Sequence, residues 1–125
     1  MIAGVGIDII EVERVKEKLL KNSGFREKVF STREIEYCES HGEMKYQHYA
    51  ARFAAKEAFL KAVGKGLQLS HDVQEIEIIV NAEGKPNISL SEQLKKISVS
   101  SSDKIHVSLS HLATTACAVV ILETN

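Results

Sequence analysis

Arg52-Phe53-Ala54-Ala55-Lys56-Glu57-Ala58-Phe59-Leu60-Lys61-Ala62-Val63-Gly64-Lys65-Gly66 decides the fold, because it reads as an alanine-rich helix stopped by glycines. At about 100° per residue, Ala50, Ala54, Glu57 and Lys61 share one narrow stripe, so a carboxylate and an ammonium stand side by side among methyl groups. Ala51, Ala55, Ala58 and Ala62 form a second stripe, whose small side chains let the helix approach a sheet closely. Taken alone, Glu57 and Lys61 are an ordinary i,i+4 pair in the favourable order, contributing about 0.2–0.5 kcal/mol.

At the N-terminus, Met1-Ile2-Ala3-Gly4-Val5-Gly6-Ile7-Asp8-Ile9-Ile10 reads as a buried strand with one charge. Alternation sets Asp8 on the face of Gly4 and Gly6, two residues that leave the backbone bare. A carboxylate there is costly unless something pairs with it. Asp8 either caps the helix that begins near Glu11 or supplies, with Glu57, half of a magnesium site, since Mg²⁺ binds through one or two carboxylates plus waters and substrate phosphates.

Between and beyond these segments the pattern is α+β. Val12, Val15 and Leu19 recur at helical spacing over about 11–22, which turns Arg14, Lys18 and Lys21 outward. Ser31-Thr32-Arg33-Glu34 has capping-box form and starts a short helix; the long helix runs from about Lys45 to Val63. Glu75–Val80 reads as a strand, 81–84 as a turn and Asn87–Leu90 as its partner strand. A short amphipathic helix with Leu94 and Ile97 inward follows, then a strand in which Ile105, Val107 and Leu109 alternate with His106, Ser108 and Ser110. The doubly apolar run 116–122 makes a central strand. The expected architecture is a single compact domain, residues 1–125, with an antiparallel sheet packed against the long helix, and 125 residues suit one core better than two.

The formal net charge of −1 excludes a globally basic nucleic-acid binder. Residues 14–33 are nevertheless locally basic at +5, with seven Lys or Arg against Glu17 and Glu27, so an acidic partner could dock there. Cys38 and Cys117, without a signal-like apolar N-terminus, fit a reducing cytoplasm rather than a disulfide framework. No apolar run is long enough to span a bilayer, and no metal-ligand spacing of His or Cys is present.

Four segments resemble, in order and spacing, the holo-acyl-carrier-protein synthases, the small stand-alone group of 4'-phosphopantetheinyl transferases. These are Gly6-Ile7-Asp8-Ile9 with Glu11 and Arg14; Arg52-Phe53-Ala54-Ala55-Lys56-Glu57-Ala58-Phe59 with Lys61 and the Gly64/Gly66 pair; Gly84-Lys85-Pro86; and His106-Val107-Ser108-Leu109-Ser110-His111. The resemblance implies transfer of the phosphopantetheine arm of coenzyme A to a serine of apo acyl carrier protein, for fatty acid biosynthesis, releasing 3',5'-ADP. It implies that Asp8 and Glu57 hold Mg²⁺, that Lys61 reaches the same phosphates, and that His111 serves coenzyme A binding and catalysis with Ser110 beside it. Gly64 and Lys45 fall among the implied coenzyme A contacts. Arg52 and Lys56 lie on another helix face and serve nucleotide contacts, fold packing or a neighbouring subunit. The implied carrier surface is Arg14, Lys18 and Lys21, and the implied assembly is a homotrimer with active sites at subunit interfaces.

The chain departs from the family pattern at Leu112-Ala113-Thr114-Thr115, which replaces a turn that usually carries charged and aromatic residues, and at Glu43-Met44-Lys45, which offers one lysine where relatives place several bases. His41, His48, His71 and His106 receive no role. A metal-dependent nucleotide hydrolase would use the same acids and lysine but turn over coenzyme A without a carrier, and a non-catalytic binding module would bind nucleotide only.

Overall fold

A computed structural model describes residues 1–64, 73–98 and 103–124 of the chain. Gly66 and His71 lie outside the described residues, as does the side chain of Ile97. Strand β1 (Ile2–Glu11) leads into α1 (Val12–Lys21), α2 (Phe25–Val29), α3 (Thr32–Glu39) and the long α4 (Lys45–Val63). Strands β2 (Ile76–Val80) and β3 (Pro86–Leu90), helix α5 (Glu92–Ser98) and strands β4 (Lys104–His111) and β5 (Thr115–Glu123) follow. The α+β pattern is borne out, with the long helix bounded where the sequence sets it and closed by Gly64 at φ 66°, the left-handed conformation that glycine adopts without strain.

The strands form two antiparallel sheets, β1-β5-β4 and β2-β3, with the apolar β5 central as its composition requires. Helix α4 lies across the larger sheet, and the contact is close enough to exclude a side chain at two positions of β1. A Cβ built on Gly4 would stand 2.1 Å from the Ala62 carbonyl oxygen, and one on Gly6 1.9 Å from that of Ala58. Two bare residues on the strand therefore meet the alanine stripe of the helix. One core cluster joins Ala54, Ala58 and Phe59 to Ile76, Leu94 and Val120; the other joins Val12, Val15 and Phe30 to Tyr49 and Ala50.

The opposite face of the larger sheet is open, and it is apolar along β1 and β5. Val5, Ile7 and Ile9 are 58%, 66% and 70% exposed, and they pair across β5 with Ile121, Val119 and Cys117.

Helix α2 has no expectation in the sequence pattern. It is five residues long, too short to show a 3.6-residue period, and it follows Gly24 at φ 87°. Phe25 packs against Phe30 and Phe53 at 6.3 Å. Among the described residues no helix is long and apolar enough to cross a membrane.

Candidate active site

The approach of β1 to α4 brings the two charged segments together. Asp8 shares the helix-facing side of β1 with Gly4 and Gly6, and the Lys61 ammonium donates to Asp8 Oδ1 at 3.0 Å and to the Ile7 carbonyl at 3.1 Å. One turn earlier on α4, Glu57 is partly buried; burial raises its carboxyl above the ordinary value, the Asp8 charge raises it further, and Lys61 and Lys18 oppose both. Two carboxylates that repel each other at a partly desolvated place are stabilised by a bound cation. The donor set fits Mg²⁺, which needs few protein ligands when phosphates supply the rest. Lys61 is more than half exposed, and an ion pair of that kind contributes about 0–1 kcal/mol, so phosphate can take over its ammonium at small cost. The capping role open to Asp8 is not realised: the residue preceding α1 is Glu11, which makes no side-chain cap.

Lys56 is corrected. Its side chain is fully buried and all three of its protons are committed, to Glu34 Oε1 at 2.7 Å, the Val73 carbonyl at 2.9 Å and the Ile76 carbonyl at 2.7 Å. Glu34 in turn accepts from the amides of Ser31 and Ile78 at 2.9 Å each. Of the roles open to Lys56, this geometry fits fold packing and leaves no proton for a nucleotide.

Arg52 is also buried, 2% exposed, yet it borders a cleft of about 340 Å³ with Tyr37, His48, Lys85, Pro86 and His111. Its guanidinium lies 4.1 Å over the Tyr37 ring and Nη1 donates to the His48 carbonyl, while Nε has no hydrogen-bond partner among the described residues. The Arg52 guanidinium thus brings a fixed positive charge to the cleft wall. His111, on the helix-facing side of β4, meets Gln47 Oε1 of α4 through Nδ1 at 2.9 Å.

The remaining assignments scatter. Ser110 pairs with Cys117 and faces the open side of the sheet, away from His111, so the two adjacent residues do not meet one site within this chain. Lys45 pairs with Glu39 at 3.2 Å and borders neither the cleft nor the acidic pair. Gly64 ends α4 one turn beyond Lys61. Arg14, Lys18 and Lys21 are exposed on α1 as its periodicity requires, with Lys18 close enough to Glu57 to influence it. His48 and Lys85 border the cleft without a role assigned to either; the one local signal is that His48 stands one helical turn before Arg52.

The cleft and the acidic pair are separate features of one chain. Asp8 and His111 stand on the two edge strands with β5 between them, and Gln47 and Glu57 are about 15 Å apart along the helix axis.

Comparison with known proteins gives this arrangement its family. Relatives include the holo-[acyl-carrier-protein] synthase of Cytophaga hutchinsonii, 46% identical over the whole of both chains, and that of Ruminiclostridium cellulolyticum, 48% identical over 94% of this chain and 90% of that one. A crystal structure of a holo-(acyl-carrier-protein) synthase from Bacillus anthracis in complex with CoA (3',5'-ADP) superimposes with TM-score 0.81 at 34% identity, covering 100% of this chain and 99% of the other. The family model of the 4'-phosphopantetheinyl transferase superfamily matches residues 4–120, and the chain belongs to that superfamily.

Proposed function

We propose that this chain is a holo-acyl-carrier-protein synthase, which moves the 4'-phosphopantetheine group of coenzyme A onto a serine of apo acyl carrier protein and releases 3',5'-ADP, in the cytoplasm and in the service of fatty acid biosynthesis. The observation that carries this is the meeting of Asp8, Glu57 and Lys61 where β1 and α4 touch, in a chain whose relatives bear that name. Phosphoryl transfer needs charge neutralisation and alignment more than covalent help, and these three groups supply both.

Asp8 and Glu57 would hold Mg²⁺, which when bound neutralises pyrophosphate charge and polarises the phosphorus under attack. Lys61 leaves Asp8 for the phosphates and offsets the charge that grows on the departing nucleotide. Arg52, Lys85 and His111 hold the nucleotide end in the cleft, and Arg14, Lys18 and Lys21 steer an acidic carrier towards the acidic pair. Gly64 and Ser110 border these groups in the assembled enzyme.

The assembly is a homotrimer with active sites at subunit interfaces. The open face carrying Val5, Ile7 and Ile9 needs a cover, and the separation of the acidic pair from the cleft in one chain is bridged when a neighbouring copy supplies the second half.

The test is to mix the protein with coenzyme A, Mg²⁺ and apo carrier and weigh the carrier by mass spectrometry. The expected result is a gain of one phosphopantetheine per carrier. Coenzyme A consumed with the carrier unmodified would make the protein a hydrolase, and no consumption with nucleotide bound would make it a binding module.

A further inference from the structure

Two histidines outside the family motifs build one wall of the cleft. The His41 and His48 rings stack with centroids 3.8 Å apart and planes 34° from parallel, and His48 meets the His111 ring edge-on at 5.1 Å. Tyr37 packs on both members of the stack, at 4.6 Å and 5.6 Å. Hydrogen bonds fix the outer two rings: His41 donates through Nδ1 to the Tyr37 carbonyl at 2.7 Å, and His111 through Nδ1 to the Gln47 amide oxygen. Among the described residues, neither ring nitrogen of His48 has a hydrogen-bond partner, so this ring is held by stacking with its polar atoms uncommitted.

The charges around His48 are of one sign. Tyr37 and His41 face it from α3 and the turn after it, Arg52 from the next turn of α4, His111 from β4 and Lys85 from across the cleft; among the described residues no carboxylate lines the cleft. Burial, followed by the effects of His41, Arg52 and His111, lowers the His48 pKa to about 4, so the ring is neutral in the free protein near pH 7. Among the described residues Arg52 Nε also has no hydrogen-bond partner. A dianion placed among these groups would reverse the field at His48.

We propose that His48 is a further binding residue of this cleft, which takes up a proton from solvent as a phosphomonoester dianion settles against Arg52, Lys85 and His111, with His41 stacked behind it to fix the ring. The inference rests on the cleft being the coenzyme A subsite. Coenzyme A carries one phosphomonoester, its 3'-phosphate, and 3'-dephospho-coenzyme A carries none. The chemistry is shared by inorganic phosphate, which the same groups would hold more weakly.

Histidine side-chain NMR titrations of the wild-type protein decide the matter, with the His48 signals assigned by their loss in His48→Gln. Titrations are run free and with saturating coenzyme A, 3'-dephospho-coenzyme A or inorganic phosphate. The expected result is a His48 midpoint that starts near 4 and rises by roughly two pH units or more with coenzyme A, and stays low with the dephospho ligand. His48→Gln should also narrow the affinity gap between the two coenzymes about fourfold at pH 5.5 and hardly at all at pH 7.5, a pH dependence that loss of packing alone would not produce. A midpoint unmoved under saturating coenzyme A overturns the inference and leaves the proposed function standing. Should coenzyme A fail to bind, the proposed function falls, and the inorganic phosphate arm still decides: a raised midpoint supports the dianion site and an unmoved one refutes it.

Discussion

Lys56→Met removes the charged centre of the α3–α4–β2 junction while keeping an unbranched side chain of similar reach. Three contacts vanish together: the Glu34 ion pair and the bonds to the carbonyls of Val73 and Ile76. Glu34 is then a fully buried carboxylate with only the Ser31 and Ile78 amides left. Breaking one partner of a buried pair costs about 3–5 kcal/mol, because the surviving charge is uncompensated, and the two abandoned carbonyls push the cost to the upper end of that range. Against a total stability of about 5–15 kcal/mol, and with a urea slope of about 2 kcal/mol/M, the midpoint of urea unfolding should fall by about 2 M. The folded fraction should retain the wild-type KM for coenzyme A. Glu34→Gln/Lys56→Met should cost less than the sum of its two single changes, since it removes both charges. A midpoint shift below about 0.5 M, or a raised KM in protein shown to be folded, would refute the packing role and return Lys56 to the nucleotide.

Glu57→Gln should lower transfer by about 100-fold or more, as loss of one preorganised electrostatic group does, while folded protein without metal becomes more stable at pH 7. The sign follows from the raised carboxyl: the native state binds the proton more tightly than the unfolded chain, so wild-type stability falls as pH rises from 4.5 through the raised folded value, and the amide escapes that loss. Thermal melts of both proteins at pH 4.5 and 7 check it, and a Glu57→Gln protein less stable than wild type at pH 7 would overturn the reading. Lys61→Met should lower kcat more than it raises the KM for coenzyme A; a change in KM alone would make Lys61 a uniform binding contact. Arg14→Glu should raise the KM for the carrier several-fold at low salt and lose that penalty at high salt, with coenzyme A binding unaffected; carrier titrations at two ionic strengths measure this. Gly6→Ala should be destabilised by about 3 kcal/mol or more, because its Cβ would stand 1.9 Å from the Ala58 oxygen and force β1 off α4; an unchanged melt would show that the strand can yield.

What the sequence made legible is what periodicity and local chemistry encode. The bounds of α4, the capping box of α3 and the central place of β5 each follow from a pattern within one element, and the structure reproduces all three. The stripe of Ala58 and Ala62 and the bare face of Gly4 and Gly6 also pointed at each other, since each is explained only by a close neighbour. Glu34 shows where such reading stops. Its spacing from Ser31 marks it as a helix-cap residue, which it is, but nothing within α3 reveals that Lys56, 22 residues later, descends onto the same carboxylate. The histidine wall of the cleft was hidden for the same reason, its three rings coming from a turn, a helix and a strand.

The same glycines tie the chemistry to the core. Asp8 continues the helix-facing row that Gly4 and Gly6 begin, and the row touches α4 backbone to backbone, so the distance from Asp8 to Lys61 is set by the closest packing in the molecule rather than by flexible loops. That close packing keeps the two carboxylates near each other, with Lys61 and Lys18 offsetting their repulsion. A site built this way needs little from its own side chains to stay in shape, which under the proposed function leaves Asp8, Glu57 and Lys61 available to the phosphates. The cleft at the other edge of the sheet is the reverse case. Its rings and guanidinium are positioned by side-chain stacking and by hydrogen bonds to a carbonyl of α3, a carbonyl of α4 and the Gln47 amide, with Arg52 Nε without a partner among the described residues. Under the proposed function, the packing-set acidic pair serves alignment at the phosphorus and the stacked cleft serves the nucleotide end, at two edges of one sheet.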